Sequence, residues 1–380
     1  MIKKDRLISL TQKVISINSE NPPGNELELS RFIQKYMESL GLYVEIYEFA
    51  KDRPNIVAIY KGSLPRKDAQ KNAIMITPHI DTVPFGRGWK YHPLSGHISK
   101  GKIYGRGASD DKGNLAACME LMRSLVEDKI KLRKDVIMAA TVDEETGSCY
   151  GLIPLLKKMR VTPAFALVVD SDEFDTIVVQ KGLIHARILI FGRKAHGAYN
   201  WRGVNAIELA AKVISRLKRL KFKYNRHRLL RAPTINIGTI HGGDKVNMVA
   251  DFCEFSVDLR FLPGMDYKEI LDKLKFTIGS VTNKFKLEID NIQEPYEITR
   301  DNPFLRCYID TAKRMGITTK IKGSEGATVI TFFKKYGIPA FATGFGAHGT
   351  AHTENEYIFI DTLYKGALLL ERFVKEYDAL

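Results

Sequence analysis

The segment Pro78-His79-Ile80-Asp81-Thr82-Val83-Pro84 sets a histidine and an aspartate two residues apart, just after an apolar run at residues 73–77. Further reactive groups follow in order: Asp110-Asp111-Lys112-Gly113, Asp143-Glu144-Glu145-Thr146-Gly147, Asp170, and His352 in Ala351-His352-Thr353-Glu354-Asn355-Glu356-Tyr357. Imidazole nitrogen and carboxylate oxygen are donors that zinc accepts, and a catalytic site keeps one position open to water. Two cations about 3.5 Å apart need a carboxylate that bridges them, further ligands for each ion, and a base. The acids and imidazoles here supply roughly that set, which points to two-metal hydrolysis. Asp81 has a separate use, since its side chain can accept the second ring N–H of His79 and fix the tautomer.

These groups need elements to hold them. A helical pattern at residues 6–17 leads through the loop Asn21-Pro22-Pro23-Gly24 into a second helix at 26–40. β-like runs follow at 43–49, 55–60, 73–77, 135–142 and 164–169, with helical segments at 114–127 and 150–158 between the later ones. That alternation predicts an α/β sheet with helices on both faces. His79/Asp81, Glu144/Glu145 and Asp170 all come directly after β-runs, and Asp110 precedes a helix start at Gly113 and Asn114. Side chains at the carboxyl ends of neighbouring strands can converge. After Gly182 the pattern changes to β-α-β-β-α-β, with strands at 184–191, 234–240, 253–261 and 284–289 and helices at 203–220 and 267–278. This suits one four-stranded sheet with two helices on a face. It divides the chain into a discontinuous catalytic, metal-binding domain (1–182 and 295–380) and an inserted α+β domain (183–294).

A length of 380 residues favours two domains, and 44% hydrophobic with 27% charged residues is the composition of a globular protein. No apolar run approaches the roughly 20 residues that span a bilayer. Met1-Ile2-Lys3-Lys4-Asp5-Arg6 is basic, but residues 7–18 alternate with polar groups, which argues against a secretory signal and makes the cytoplasm the expectation. Cys118, Cys149, Cys253 and Cys307 show no C-x-x-C spacing. Much of the net charge of +14 gathers in Arg216 to Arg231, where Lys218, Arg219, Lys221, Lys223, Arg226, Arg228 and Arg231 crowd together. This reads as a solvated helix end and loop. Phe222 and Tyr224 are too few aromatics for a stacking platform, so no nucleic-acid partner is expected.

From about Asn21 to Tyr357 these segments resemble those of the co-catalytic di-zinc metallopeptidases and deacylases that include aminoacylase, carboxypeptidase G, acetylornithine deacetylase and succinyl-diaminopimelate desuccinylase. The resemblance implies a zinc-peptidase-like mixed sheet with a ferredoxin-like insert serving as lid and dimerisation domain. It implies that His79 binds the first zinc, Asp110 bridges both, Glu145 and His352 bind the second, and Glu144 is the general base. Asp170 stands where the remaining ligand of the first zinc is placed; many members carry Glu there, the tripeptide-aminopeptidase branch carries Asp, and Asp172 and Glu173 are close by. Asp110 is preferred to Asp111 because it lies two residues before Lys112-Gly113, and His352 to His348 because of the frame to Glu356 and Tyr357. In the insert, His196 in Arg193-Lys194-Ala195-His196-Gly197-Ala198 matches a histidine that reaches the partner's site and stabilises the oxyanion. Asn247 and Arg260 match positions that hold the substrate's amide and free carboxylate, for which a guanidinium fork is suited. Gly323 and Ser324, followed by Glu325 where Asp is common, match a glycine-rich loop that touches substrate.

The expected activity is hydrolysis of an amide in an N-acyl amino acid or short peptide with a free carboxylate, by a cytoplasmic homodimer of amino-acid metabolism. Deacylation, as by a desuccinylase or deacetylase, is favoured; the alternative is a di- or tripeptidase or carboxypeptidase. A non-catalytic binding protein on this fold would lack the base or a ligand, and none is missing. The cofactors are two Zn2+, for which Co2+ or Mn2+ could substitute. The other histidines, His92, His97, His185, His227 and His241, receive no role.

Overall fold

The computed structural model describes residues 1–160 and 162–380, with Gln70 by its backbone alone. Helices α1 (Lys4–Ser16) and α2 (Leu27–Ser39) open the chain. Leu7, Leu10 and Val14 recur at helical spacing in the first, as do Leu29, Ile33 and Met37 in the second, and these are the residues buried. Next come β1 (Tyr43–Glu48), β2 (Pro54–Tyr60), α3 (Arg66–Lys71), β3 (Ile74–Thr77), β4 (His97–Ser99), β5 (Lys102–Tyr104), α4 (Lys112–Glu127), β6 (Val136–Ala140), α5 (Leu152–Lys158), β7 (Phe165–Val169) and β8 (Asp175–Gln180). The insert runs through β9 (Gly182–Phe191), α6 (Ala206–Lys218), β10 (Thr234–Gly242), β11 (Phe252–Phe261), α7 (Tyr267–Gly279) and β12 (Phe285–Gln293). The chain then continues as β13 (Tyr296–Glu297), α8 (Pro303–Arg314), β14 (Lys320–Ser324), α9 (Ile330–Lys334), β15 (Ala340–Thr343), β16 (Tyr357–Phe359) and α10 (Ile360–Asp378).

Two compact units result: Met1–Val178 with Ile298–Lys322 and Phe332–Leu380, and Val179–Glu297 with Gly323–Thr331. The sequence reading had assigned residues 323–331 to the catalytic domain. They fold with the insert because Glu325 pairs with the buried Lys181 at 2.5 Å and accepts the Arg231 N–H at 2.8 Å, while Thr328 donates to Gln180.

In the first unit the sheet runs β1-β2-β6-β3-β7-β15-β8. β6, β3, β7 and β15 are mutually parallel, and β2 and β8 flank them antiparallel. Every residue of the four parallel strands is buried. Since successive side chains point to opposite faces, both faces of this sheet are covered. β8 and β15 were not anticipated, because a short strand buried on both faces shows no period-two alternation. A small sheet, β16-β5-β4, was also not anticipated; it is built from three-residue strands.

The second unit has the expected β-α-β-β-α-β order, in an antiparallel sheet β10-β11-β9-β12. β11 alternates strictly and β9 does so from Ile184 on: Ile184, Ala186, Ile188 and Ile190, with Phe255, Val257, Leu259 and Phe261, point into a core completed by Val213 and Leu217 of α6 and Leu274 and Ile278 of α7. The Asn205 side chain accepts the Ile207 N–H at 3.0 Å and Asp266 accepts the Lys268 N–H at 2.8 Å, caps worth about 1 kcal/mol each. The basic cluster lies at the exposed end of α6 and in the irregular segment after it. No helix among the described residues is long and apolar enough to cross a membrane.

Candidate metal centre

His79 follows the end of β3, Glu144 and Glu145 the end of β6, and Asp170 the end of β7. Those three strands are adjacent and parallel, so their loops open on one edge of the sheet. Asp110 immediately precedes Asp111, the N-cap of α4, and His352 lies in the loop from β15 to β16.

The two oxygens of Asp110 face two imidazoles, with Oδ1 2.9 Å from His79 Nε2 and Oδ2 3.1 Å from His352 Nε2. Glu145 Oε2 lies 3.1 Å from the same His352 nitrogen. Donor atoms of His79, Asp110 and Glu145 fall within 4.8 Å of one another, and so do those of His79, Asp111 and Asp170. Asp111 is engaged elsewhere: it accepts the His79 N–H at 3.0 Å and the Asn114 amide at 2.6 Å. His348 is likewise committed, its ring nitrogens each 3.3 Å from Asp172 and Asp175. His352 faces Asp110 directly, and Asp170 belongs to the trio with His79 and Asp111. Glu144 is half-buried, and its carboxylate has no hydrogen bond among the described residues.

His79 Nδ1 lies 3.0 Å from the Asp81 backbone carbonyl and 3.4 Å from the Asp81 carboxylate. That carboxylate also accepts the N–H groups of Glu144 and Glu145, each at 3.1 Å, and the Asn21 amide at 2.8 Å. It anchors the loop that carries the proposed base, because a carboxylate holds several donors at once.

Three further residues build the site and were missed. Asp143 adopts a left-handed backbone (φ 66°), which costs about 1–2 kcal/mol. Its carboxylate offsets this by accepting the Tyr150 N–H at 3.0 Å and pairing with Arg53 at 3.0 Å. Glu356 is fully buried and accepts the backbone N–H groups of Gly107 (3.1 Å), Ser109 (2.9 Å) and Asp110 (3.0 Å), with Arg106 paired to it at 2.7 Å. Arg106 also donates to the Thr353 carbonyl at 3.1 Å. Glu356 therefore locks the Asp110 loop to the His352 loop, and β5–β16 pairing brings the two together. Sequence spacing marked Glu356 only as a frame for His352. Glu356→Gln, which cannot accept all these donors, is expected to weaken metal affinity about 10–100-fold while the protein stays folded, as titration with a chromogenic chelator would show.

The insert's expected substrate residues lie in the second unit. His196 is exposed, and its Nδ1 accepts the Ala198 N–H at 3.1 Å. In the neutral ring this leaves the proton on Nε2, a donor of the kind an oxyanion needs. Asn247 is exposed beside it, its carbonyl accepting the Gly197 N–H at 2.8 Å. Arg260 forms a two-point ion pair with Asp258. Gly323 has no room for a side chain, since a Cβ would lie 2.7 Å from the Leu229 carbonyl; the Ser324 carbonyl accepts the Lys181 N–H at 3.1 Å.

Residues 75–376 match peptidase family M20/M25/M40. The chain belongs to this family. It is 28% identical over 366 residues to an acetylornithine deacetylase of Proteus mirabilis, covering 93% of this chain and 90% of that one. Its fold is shared with aminopeptidase PepT from Bacillus cereus (TM-score 0.80, 24% identity, 99% of each chain covered). A family M20 metallo-carboxypeptidase from Sulfolobus solfataricus is similar in fold too (TM-score 0.82, 21% identity, 99% and 100% covered). As a member of this peptidase family, the protein is an amide-bond hydrolase.

The charge balance of this M20-family site suits cations. Burial pushes Asp170 up to about 7, with the Asp110 charge adding to it. Burial also lifts Glu144 well above the usual carboxyl range, against the pull of His79. Burial opposes ionisation of Asp110, but His352 and His79 outweigh it and hold its pKa well below normal. The Asp110 and Glu145 carboxylates raise His352 to about 10. More acid is gathered than two imidazoles can neutralise, and divalent ions bound by these donors would balance it. A histidine raised from its ordinary 6.5 contributes stability that is complete below that value and lost as pH rises through about 10. The thermal midpoint of the metal-stripped protein should therefore fall between pH 7 and 10. The fall should be shallower in His352→Asn, and added zinc, which needs the neutral imidazole, should cancel it.

Proposed function

We propose that this M20-family protein is a two-metal deacylase acting on an N-acyl amino acid with a free carboxylate. His79, Asp110 and Asp170 would hold one ion, and Asp110, Glu145 and His352 the other. The observation that carries this reading is Asp110, whose two oxygens face separate imidazoles while Glu144 beside them makes no hydrogen bond among the described residues. Bound divalent ions would polarise the acyl oxygen and bring the pKa of water towards neutrality. Glu144 takes a proton from the attacking water and returns it to the leaving amine, serving as base and then acid. The insert supplies His196 for the oxyanion, Asn247 and the Gly323-Ser324 loop for the amide, and Arg260 for the carboxylate.

Imidazole and carboxylate donors suit zinc, with cobalt or manganese as substitutes. Four unpaired cysteines are in keeping with a reducing cytoplasm. Tyr199 and the 72%-exposed Trp201 on the insert support association as a homodimer. Deacylation is preferred to peptide cleavage because the deacetylase relative spans most of both chains. Zinc-loaded enzyme assayed against N-acetyl and N-succinyl amino acids and dipeptides tests this. Higher kcat/KM on the acylated amino acids is expected; dipeptides as the better substrates would make it a peptidase.

A further inference from the structure

Glu254, Ser256, Asp258 and Arg260 share the face of β11 opposite its buried residues Cys253, Phe255, Val257, Leu259 and Phe261. On that face Arg260 lies side-on to Asp258: Nε–H donates to Oδ1 at 2.7 Å, and an Nη2 N–H donates to Oδ2 at 3.0 Å. One flank of the guanidinium is therefore engaged. The N–H groups of Nη1 and the second of Nη2 have no hydrogen bond among the described residues. They form the end-on edge, where two parallel donors match the two oxygens of a carboxylate. His185, the cross-strand neighbour of Asp258 on β9, lies beside it, with Nε2 3.6 Å from Oδ2.

We propose that Asp258 is a positioning residue that fixes the guanidinium plane of Arg260, so that its end-on edge is presented to the substrate's free carboxylate. This deepens the reading above and rests on Arg260 as the carboxylate receptor. Asp258 touches only the flank of the fork that the ligand does not use. A guanidinium on a freely rotating stem would first have to be ordered at the moment of binding, which weakens affinity without altering the chemical step. The effect should therefore fall on KM and leave kcat alone. If Asp258 were instead a rival carboxylate occupying the receptor, removing it would lower KM, so the sign of the change separates the two roles.

The test uses N-acetyl-L-ornithine, or whichever N-acyl amino acid the panel selects, together with its carboxamide. Arg260→Ala should raise KM for the free acid and barely alter that for the carboxamide. Asp258→Asn, which keeps the side-chain shape, should raise KM for the free acid about five- to tenfold with kcat unchanged. It should have no further effect on top of Arg260→Ala. Asp258→Ser serves as a second variant, and thermal midpoints close to that of the parent confirm folding. If Arg260→Ala is selective for the acid but the Asp258 variants leave KM unchanged or lower it, the positioning role is wrong and the receptor assignment stands. If Arg260→Ala is not selective, both fall.

Discussion

Glu144→Ala should retain its bound metal and lose about 10²–10⁴-fold in kcat, the range that a positioned general acid–base contributes. The variant separates base from ligand because the Glu144 carboxylate, unlike those of Asp110 and Glu145, makes no hydrogen bond or ion pair to either imidazole among the described residues. Its loop should also survive, since the Glu144 and Glu145 backbone N–H groups, not the side chain, hold it to Asp81. Metal analysis alongside steady-state kinetics reads out both halves. An ordinary kcat would remove Glu144 from proton transfer, and a loss of metal would make it a ligand.

Asp110→Ala should do the reverse and empty both ion positions, with activity reduced below that of Glu144→Ala. One carboxylate faces His79 and His352 at 2.9 and 3.1 Å, so no other residue can substitute for it at both. His79→Ala provides the graded comparison and should lower metal content while leaving the donors Glu145 and His352 in place. Equal metal content in Asp110→Ala and the parent, measured by mass spectrometry on dialysed protein, would falsify the bridging assignment. Asp111 offers no rescue, because its Oδ2 accepts the His79 backbone N–H and its Oδ1 the Asn114 amide.

The candidate donors could be picked out because each sits near a recognisable boundary. His79 and Asp170 follow apolar strands, and Asp110 comes just before a helix, so strand ends and helix starts could be read from local apolar pattern alone. The choice between neighbours was not legible in the same way. Asp110 and Asp111 are the same residue type side by side, and only the structure shows one turned to the imidazoles and the other to Asn114. His348 and His352 were separated by resemblance, whereas the physical reason is that Asp172 and Asp175 occupy His348.

Composition and periodicity by themselves determined an α/β scaffold, a β-α-β-β-α-β insert and a supply of imidazole and carboxylate, since these depend on contacts between residues near in the chain. Tertiary structure alone decided that Glu356 ties the Asp110 and His352 loops together, that Asp81 anchors the Glu144 loop, and that residues 323–331 fold with the insert. In the first two a buried acid meets donors from distant segments, and in the third the exposed Glu325 meets the buried Lys181. A carboxylate withdrawn from water must find such partners, but sequence spacing carries no signal of which ones it finds.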